Sequence, residues 1–344
     1  MRVYFSQTHA DHDPSGFLRS GQKQPSPECP ERAHRLSAAL SAAGYALDTP
    51  RPHGAEAIAA VHDAGYLDFL RNGVTAWREL PGASEEIFPN VHPSRHAGAL
   101  PKGIVGRAGY YMADSACPVN AGTFAAAASA ADAALSAAED VLGGEPHAYA
   151  LCRPPGHHAY ADMAGGFCFL NNVAIAAQAA VAAGRRPAVL DVDVHHGNGT
   201  QGIFYGRGDV FFCSLHGDPS GFYPFYAGYA DERGAGAGEG CNLNLPLPAG
   251  TGDEAFLEAL QSGLAGIERF GADVLLVSLG LDAQENDPLG ILSITTDGFA
   301  RIAEAAAGLG LPTVIVQEGG YLCDELGANL VSFLNAFAGA HKPS

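Results

Sequence analysis

The sequence predicts one α/β domain built on a largely parallel sheet, and two observations carry that prediction. Short β-branched or aromatic runs alternate with long alanine-rich segments of helical character, the pattern of repeated β-α units. The runs are also nearly continuous in apolar residues, as strands are when helices cover both faces. A chain of 344 residues is long enough for a substantial core in one such domain.

Taken in order, the expected strands are VYF at 3–5, AYALC at 148–152, AVLDVDV at 188–194, VFFCSL at 210–215, VLLVSL at 274–279 and TVIVQ at 313–317. Helices are expected near 31–43, 123–142, 172–183, 253–269, 297–308 and 326–338. The stretch from about 80 to 114, rich in Gly, Pro and His, shows neither a helical nor a strand period. A connection this long reads as a lid, binding loop or assembly element, or else as a plain surface excursion. GAGAGEG at 234–240 reads as a flexible loop, because no strand precedes it and no helix follows.

Composition excludes several classes. With 47% hydrophobic and 16% charged residues the chain is too apolar for a disordered protein, and no apolar run is long enough to span a bilayer. The opening MRVYFSQTHADHD has no apolar core of a secretion signal, so the expected location is the cytoplasm, without a membrane partner. Seven scattered cysteines with no C-x-x-C pair read as reduced packing residues. A net charge of −18 argues against nucleic acid as a partner. It favours cationic ligands or simply serves solubility.

Ligands of open parallel sheets bind beyond the carboxyl ends of the strands, so polar residues just after apolar runs are the ones to collect. Four places stand out: DVDVHH, RPPGHHA, LDAQEND and EGGY. On an extended segment Asp191, Asp193 and His195 point one way while Val192 and Val194 point the other. Asp193, His195 and Asp282 together suit a divalent metal with open positions, which describes a catalytic site better than a closed structural one. Ordinary strand-end hydrogen bonding is the competing reading. His157 and His158 supply side chains whose pKa suits proton transfer near neutrality. Tyr321, after Gly319 and Gly320, brings a phenol to the same rim.

Together RPPGHHA, GFCFLNNVAIAA, VLDVDVHHGNGTQ, SLHGDP, SLGLDA and QEGGY resemble the histone deacetylase and acetylpolyamine amidohydrolase family in order and approximate spacing from about 150 to 325. CPERAHRL is similar to that family's early helix, and the 80–114 segment to the insertion of its small-amine branch, where it narrows the channel and helps form a dimer. The resemblance implies a single three-layer domain over 1–344 with a mostly parallel eight-stranded central sheet, the arginase/deacetylase fold. It also implies a homodimer, an acetylated small amine as substrate, zinc or ferrous iron as the metal, and a structural potassium ion.

By the same resemblance Asp193, His195 and Asp282 hold the metal, while Asp191, Asp193, His195, Ser214 and Leu215 surround potassium. His157, His158 and Tyr321 are catalytic, with Asp191 orienting His157 and Asn198 orienting His158. Gly166, Phe167, Tyr223 and Gly320 line the channel, Tyr223 standing where the family commonly has phenylalanine. Asp114, Glu85 and Glu86 are the expected rim acids that would select a second ammonium group. A bound metal would acidify water and polarise the amide, with His158 as base, His157 as electrostatic support or acid, and the Tyr321 hydroxyl as oxyanion donor. The neutral Asn198, where some members of the family carry aspartate, implies a lower His158 pKa. The alternatives are a protein acetyl-lysine deacetylase, a catalytically silent acetyl-amine binder and a dimanganese ureohydrolase of the arginase type.

Overall fold

The computed structural model describes residues 1–342. Among these the chain forms ten strands: β1 (Arg2–Tyr4), β2 (Phe17–Arg19), β3 (Gln22–Gln24), β4 (Leu47–Asp48), β5 (His147–Ala150), β6 (Pro187–Asp191), β7 (Phe211–Gly217), β8 (Asn242–Leu247), β9 (Val274–Leu279) and β10 (Thr313–Gln317). Eight of them make one sheet in the order β4-β1-β5-β10-β9-β6-β7-β8, parallel at every junction, while β2 and β3 form a separate antiparallel hairpin. The eight-stranded, helix-covered α/β architecture expected from the sequence is therefore present, and its sheet is wholly parallel.

Period-two alternation splits the sheet into two cores. Val3, Tyr149, Leu190, Val277 and Ile315 face one side and pack with the helices Pro30–Ala42, Asp253–Phe270, Thr296–Ala307 and Leu326–Ala340. Tyr4, Ala150, Val189, Leu276 and Val316 face the other and pack with Thr123–Leu142 and Asn172–Ala182. Both faces are dry, which is why the strands read as continuous apolar runs. At about 1.5–3 kcal/mol per buried large aliphatic side chain, this double core gives the strand ends a rigid base.

Several elements lie outside the sequence expectation. The short helix Gly54–Ala59 and the longer Ala64–Arg78 were not anticipated, nor were β4, β8 and the β2–β3 hairpin. The supposedly structureless 80–114 stretch contains the helix Ile104–Tyr111, whose buried Tyr111 packs 5.3 Å from Phe69. Only its first part is irregular, and residues 91–100 are all exposed. The strand expected over 188–194 ends at Asp191. There the Asp193 backbone N–H donates to Asp191 Oδ1 at 3.1 Å and the His195 N–H to Asp193 Oδ1 at 2.9 Å. Aspartate side chains capture the donors that a continued ladder would need, so the chain bends at the point where the charged residues begin. The 234–240 loop makes only a single turn at Gly236–Gly238.

Candidate active site

The bend after β6 does not scatter the side chains. Val192 and Val194 still enter the core, while Asp193 and His195 converge on Asp282, which follows β9. One ligand atom from each of the three lies within 4.8 Å of the others. His195 Nδ1 stands 3.1 Å from Asp193 Oδ1 and 3.1 Å from Asp282 Oδ2. The outer oxygens are anchored: Gly319 N–H donates to Asp193 Oδ2 at 2.8 Å and Val194 N–H to Asp282 Oδ1 at 3.1 Å. A Cβ on Gly319 would collide with both carboxylates, so the close approach of the 318–321 loop requires glycine there.

Asp191, Asp193 and Asp282 are fully buried. Burial pushes the Asp191 carboxyl up to about 6 and also raises Asp282, whereas Asp193 is held low against burial by His157 and His195. Buried carboxylates on this scale need a cation. Two carboxylates and an imidazole, converging with room beside them, have the donor chemistry of a divalent borderline metal, so the residues fit such an ion.

The tandem histidines follow β5 on the loop after Pro154–Pro155. His157 Nδ1–H donates to Asp191 Oδ2 at 2.9 Å. Burial opposes charge on His157, but Asp191 and then Asp193 overcome it and raise its pKa to about 10. His158 Nδ1 is 2.6 Å from Asn198 Oδ1, and the same amide's Nδ2 donates to the Tyr160 hydroxyl at 3.3 Å, which fixes the amide's orientation. Burial, then His157 and His195, push His158 well below the usual histidine range. The two imidazoles lie with centroids 4.0 Å apart and planes tilted by 45°, and their surroundings pull them in opposite directions, the carboxylates favouring charge on His157 and burial disfavouring it on His158.

Tyr321 closes the group. Its backbone N–H donates to Asp287 Oδ2 at 2.7 Å, and the Arg32 guanidinium lies 4.7 Å from its ring centroid. Its hydroxyl bonds no protein group among the described residues and reaches the cavity. That cavity, of about 440 Å³, has His158, His195 and Tyr321 at its floor and Phe167, Phe222 and Tyr223 as walls. Phe222 stacks on His195 with centroids 4.8 Å apart. A wider, shallow trough of about 900 Å³ beside Glu254 and Arg301 contains none of the strand-end donors.

Other expected residues fall in three groups. Gly166 and Phe167 line the cavity in left-handed conformations, φ 50° and 69°, and Tyr223 faces them. Asp191 and Ser214 are register partners on β6 and β7, with Leu215 next, so the proposed potassium ligands are contiguous in space. Gly320 does not line the cavity: it lies behind Tyr321, where its carbonyl accepts from Arg32 Nε at 2.6 Å. Of the rim acids, only Asp114 reaches the cavity. Its Oδ2 accepts from the Tyr223 hydroxyl at 2.6 Å and from Gly166 N–H at 3.1 Å, and its Oδ1 from Ala116 N–H at 2.8 Å. Glu86 is buried and accepts from Ser15 N–H at 2.9 Å, and Glu85 pairs with Arg78 at 2.6 Å, so both expectations are corrected. Among the described residues Arg19, beside the turn of the hairpin, lines the mouth without an ionic partner.

A buried acid–base pair beside a cation-demanding carboxylate cluster, set at the carboxyl end of a parallel sheet, defines a hydrolytic enzyme site of the metal-assisted kind. The model of the histone deacetylase domain matches residues 26–337, and the chain belongs to that family, whose members are generally metal-dependent amidohydrolases. It is 48% identical over 338 residues to an acetylpolyamine amidohydrolase of Burkholderia pseudomallei, covering 98% of each chain, and 42% identical to one of Mycoplana ramosa, covering 98% and 100%. A solved structure of acetylpolyamine aminohydrolase from Burkholderia pseudomallei superposes with a TM-score of 0.95 at 47% identity, over 99% of this chain and 100% of that one. No helix among the described residues is long and apolar enough to cross a membrane.

Proposed function

We propose that the protein is a zinc-dependent deacetylase that hydrolyses the acetamide of small acetylated amines of the acetylputrescine, acetylcadaverine and acetylspermidine type. The single observation that carries this reading is the Asp193–His195–Asp282 donor set beside two histidines, one held by Asp191 and the other by Asn198, at the floor of a narrow aromatic cavity. The names of its similar relatives support the substrate class.

Zinc held by Asp193, His195 and Asp282 would supply Lewis acidity toward the amide oxygen and toward water. The chain's own groups do the rest. His158, neutral and fixed through Asn198, takes the attacking water's proton at Nε2. His157, kept cationic by Asp191, stabilises developing negative charge. The Tyr321 hydroxyl donates to the oxyanion. Protonation of the leaving amine falls to the histidine pair, which holds the proton just taken. Potassium between β6 and β7 would offset the remaining charge of Asp191 and Asp193.

Selection for small amines rests on width rather than on an acidic rim. Phe167 and Tyr223 leave room for an alkyl stem, and Asp114 is committed to three donors. The exposed 91–100 stretch lies in the segment that would also carry a dimer contact. Metal removal tests the proposal: purified protein should contain one zinc per chain, and chelation should abolish acetylputrescine hydrolysis until zinc is restored. Full activity in the chelated, metal-free protein would refute it.

A further inference from the structure

Glu318 is buried completely at the end of β10, and none of the chemistry above uses it. Its Oε2 accepts from two successive backbone N–H groups, Gly156 at 2.6 Å and His157 at 3.0 Å. Its Oε1 accepts from Ser278 Oγ at 3.3 Å on β9. These two N–H groups belong to an irregular loop, in a dry setting where an amide left without an acceptor is costly. One carboxylate oxygen therefore sets the backbone from which both imidazoles project.

The other end of the same residue is tied to Tyr321. Glu318 O accepts from Arg32 Nη2 at 2.8 Å, Gly320 O accepts from Arg32 Nε, and the Arg32 guanidinium covers the Tyr321 ring. Arg32 is itself neutralised by buried Glu28 at 3.0 Å. Glu318, Cys168 and His157 also place ligand atoms within 4.8 Å of one another. Asp191 occupies His157 Nδ1, and two N–H groups occupy Glu318 Oε2, so this grouping is a hydrogen-bonded frame and not an open metal site.

We propose that Glu318 is a positioning residue: through Gly156 and His157 N–H it sets the height and mutual tilt of the tandem histidines relative to Tyr321, two loops otherwise remote in sequence. This rests on the reading that the histidine pair carries the reaction. Burial pushes the Glu318 carboxyl up to about 7, so a neutral acceptor of the same shape is close to a form this site already tolerates.

The test compares Glu318→Gln with Glu318→Leu in the zinc-loaded protein, on whichever acetylated amine the unmodified protein hydrolyses best. Readouts are kcat, KM, zinc content, and hydrogen exchange of the 154–158 peptide. The amide oxygen of Gln can accept both N–H groups, so Glu318→Gln should keep kcat within about threefold. Glu318→Leu should lower kcat at least about 100-fold, with KM and zinc content within twofold and faster exchange at 154–158. A Gln variant that loses kcat by more than tenfold would overturn the proposal even if the Leu variant fails to fold. So would a Leu variant whose kcat is intact, or whose kcat falls only in step with zinc loss. If the unmodified protein hydrolyses no acetylated amine, the functional reading fails, and exchange at 154–158 still decides whether Glu318 holds the loop.

Discussion

The floor of the cavity and its mouth obey different rules. At the floor every charged atom is accounted for: Asp191, Asp193 and Asp282 are fully buried, and backbone N–H groups and imidazoles take up their oxygens. At the mouth the β2–β3 hairpin is largely exposed, and Arg19 has no ionic partner among the described residues. Buried polar atoms are costly unless placed correctly, so the floor is over-determined and the mouth is not. The positions of the floor groups are therefore tightly set, while those at the mouth are free to vary.

Removing a floor group should have the largest effect. Tyr321→Phe should reduce kcat about 10²–10³-fold with KM little changed, the usual cost of one oxyanion donor. Steady-state kinetics would check it, and turnover near the starting value would mean that the floor is less tightly specified than its geometry implies.

A second test asks whether the frame under the floor is equally committed. His62 Nδ1–H donates to Ala161 O at 3.2 Å and its Nε2 accepts from Asn171 N–H at 2.9 Å, a pattern that only the neutral ring can make. Burial lowers its pKa to about 4. The folded value lies below the unfolded one of about 6.5, so the unfolded chain binds more protons between those pH values. The stabilisation is full above pH 6.5 and is lost as pH falls toward 4, by on the order of 3 kcal/mol. Urea unfolding from pH 7.5 to 4.5 should show this slope, and His62→Gln should flatten it. Parallel curves for the two proteins would contradict the assignment.

At the wall, where floor and mouth meet, effects should be smallest. Tyr223→Phe removes the hydroxyl that donates to Asp114, one of the two ties through Asp114 between the 104–116 segment and the channel wall, and leaves the Gly166 N–H as the other. It should leave hydrolysis of acetylputrescine within about threefold while improving activity on an acetyl-lysine peptide several-fold, since one hydrogen bond is worth about 1 kcal/mol. Equal changes on both substrates would show that this tie does not set width.

The same contrast explains what the sequence revealed. Asp193, His195, Asp282, His157, His158 and Tyr321 stand directly after apolar runs, where polar types have no reason to be unless they work, and all six meet. The six expected strands are present because their apolar runs are uninterrupted. Helix Ala64–Arg78 is missing from the expected elements although Tyr66, Leu67, Leu70, Val74 and Trp77 keep a helical period that marks it. β8 was hidden by Pro246 and by the polar Asn242 and Asn244, which bond to Gln201. The roles of Glu318, Arg32 and Asp287 were not legible, because they act on backbone atoms far away in sequence. Glu85 and Glu86 misled because acidity alone does not say which way a side chain faces.

The most direct measurement of the central claim is kcat/KM of the zinc-loaded protein on acetylputrescine, acetylspermidine and an acetyl-lysine peptide, side by side. A narrow channel with Arg19 at its mouth predicts acetylputrescine best, acetylspermidine lower by a few-fold, and the peptide poorest. A clear preference for the peptide would contradict the account and make the protein a lysine deacetylase of proteins.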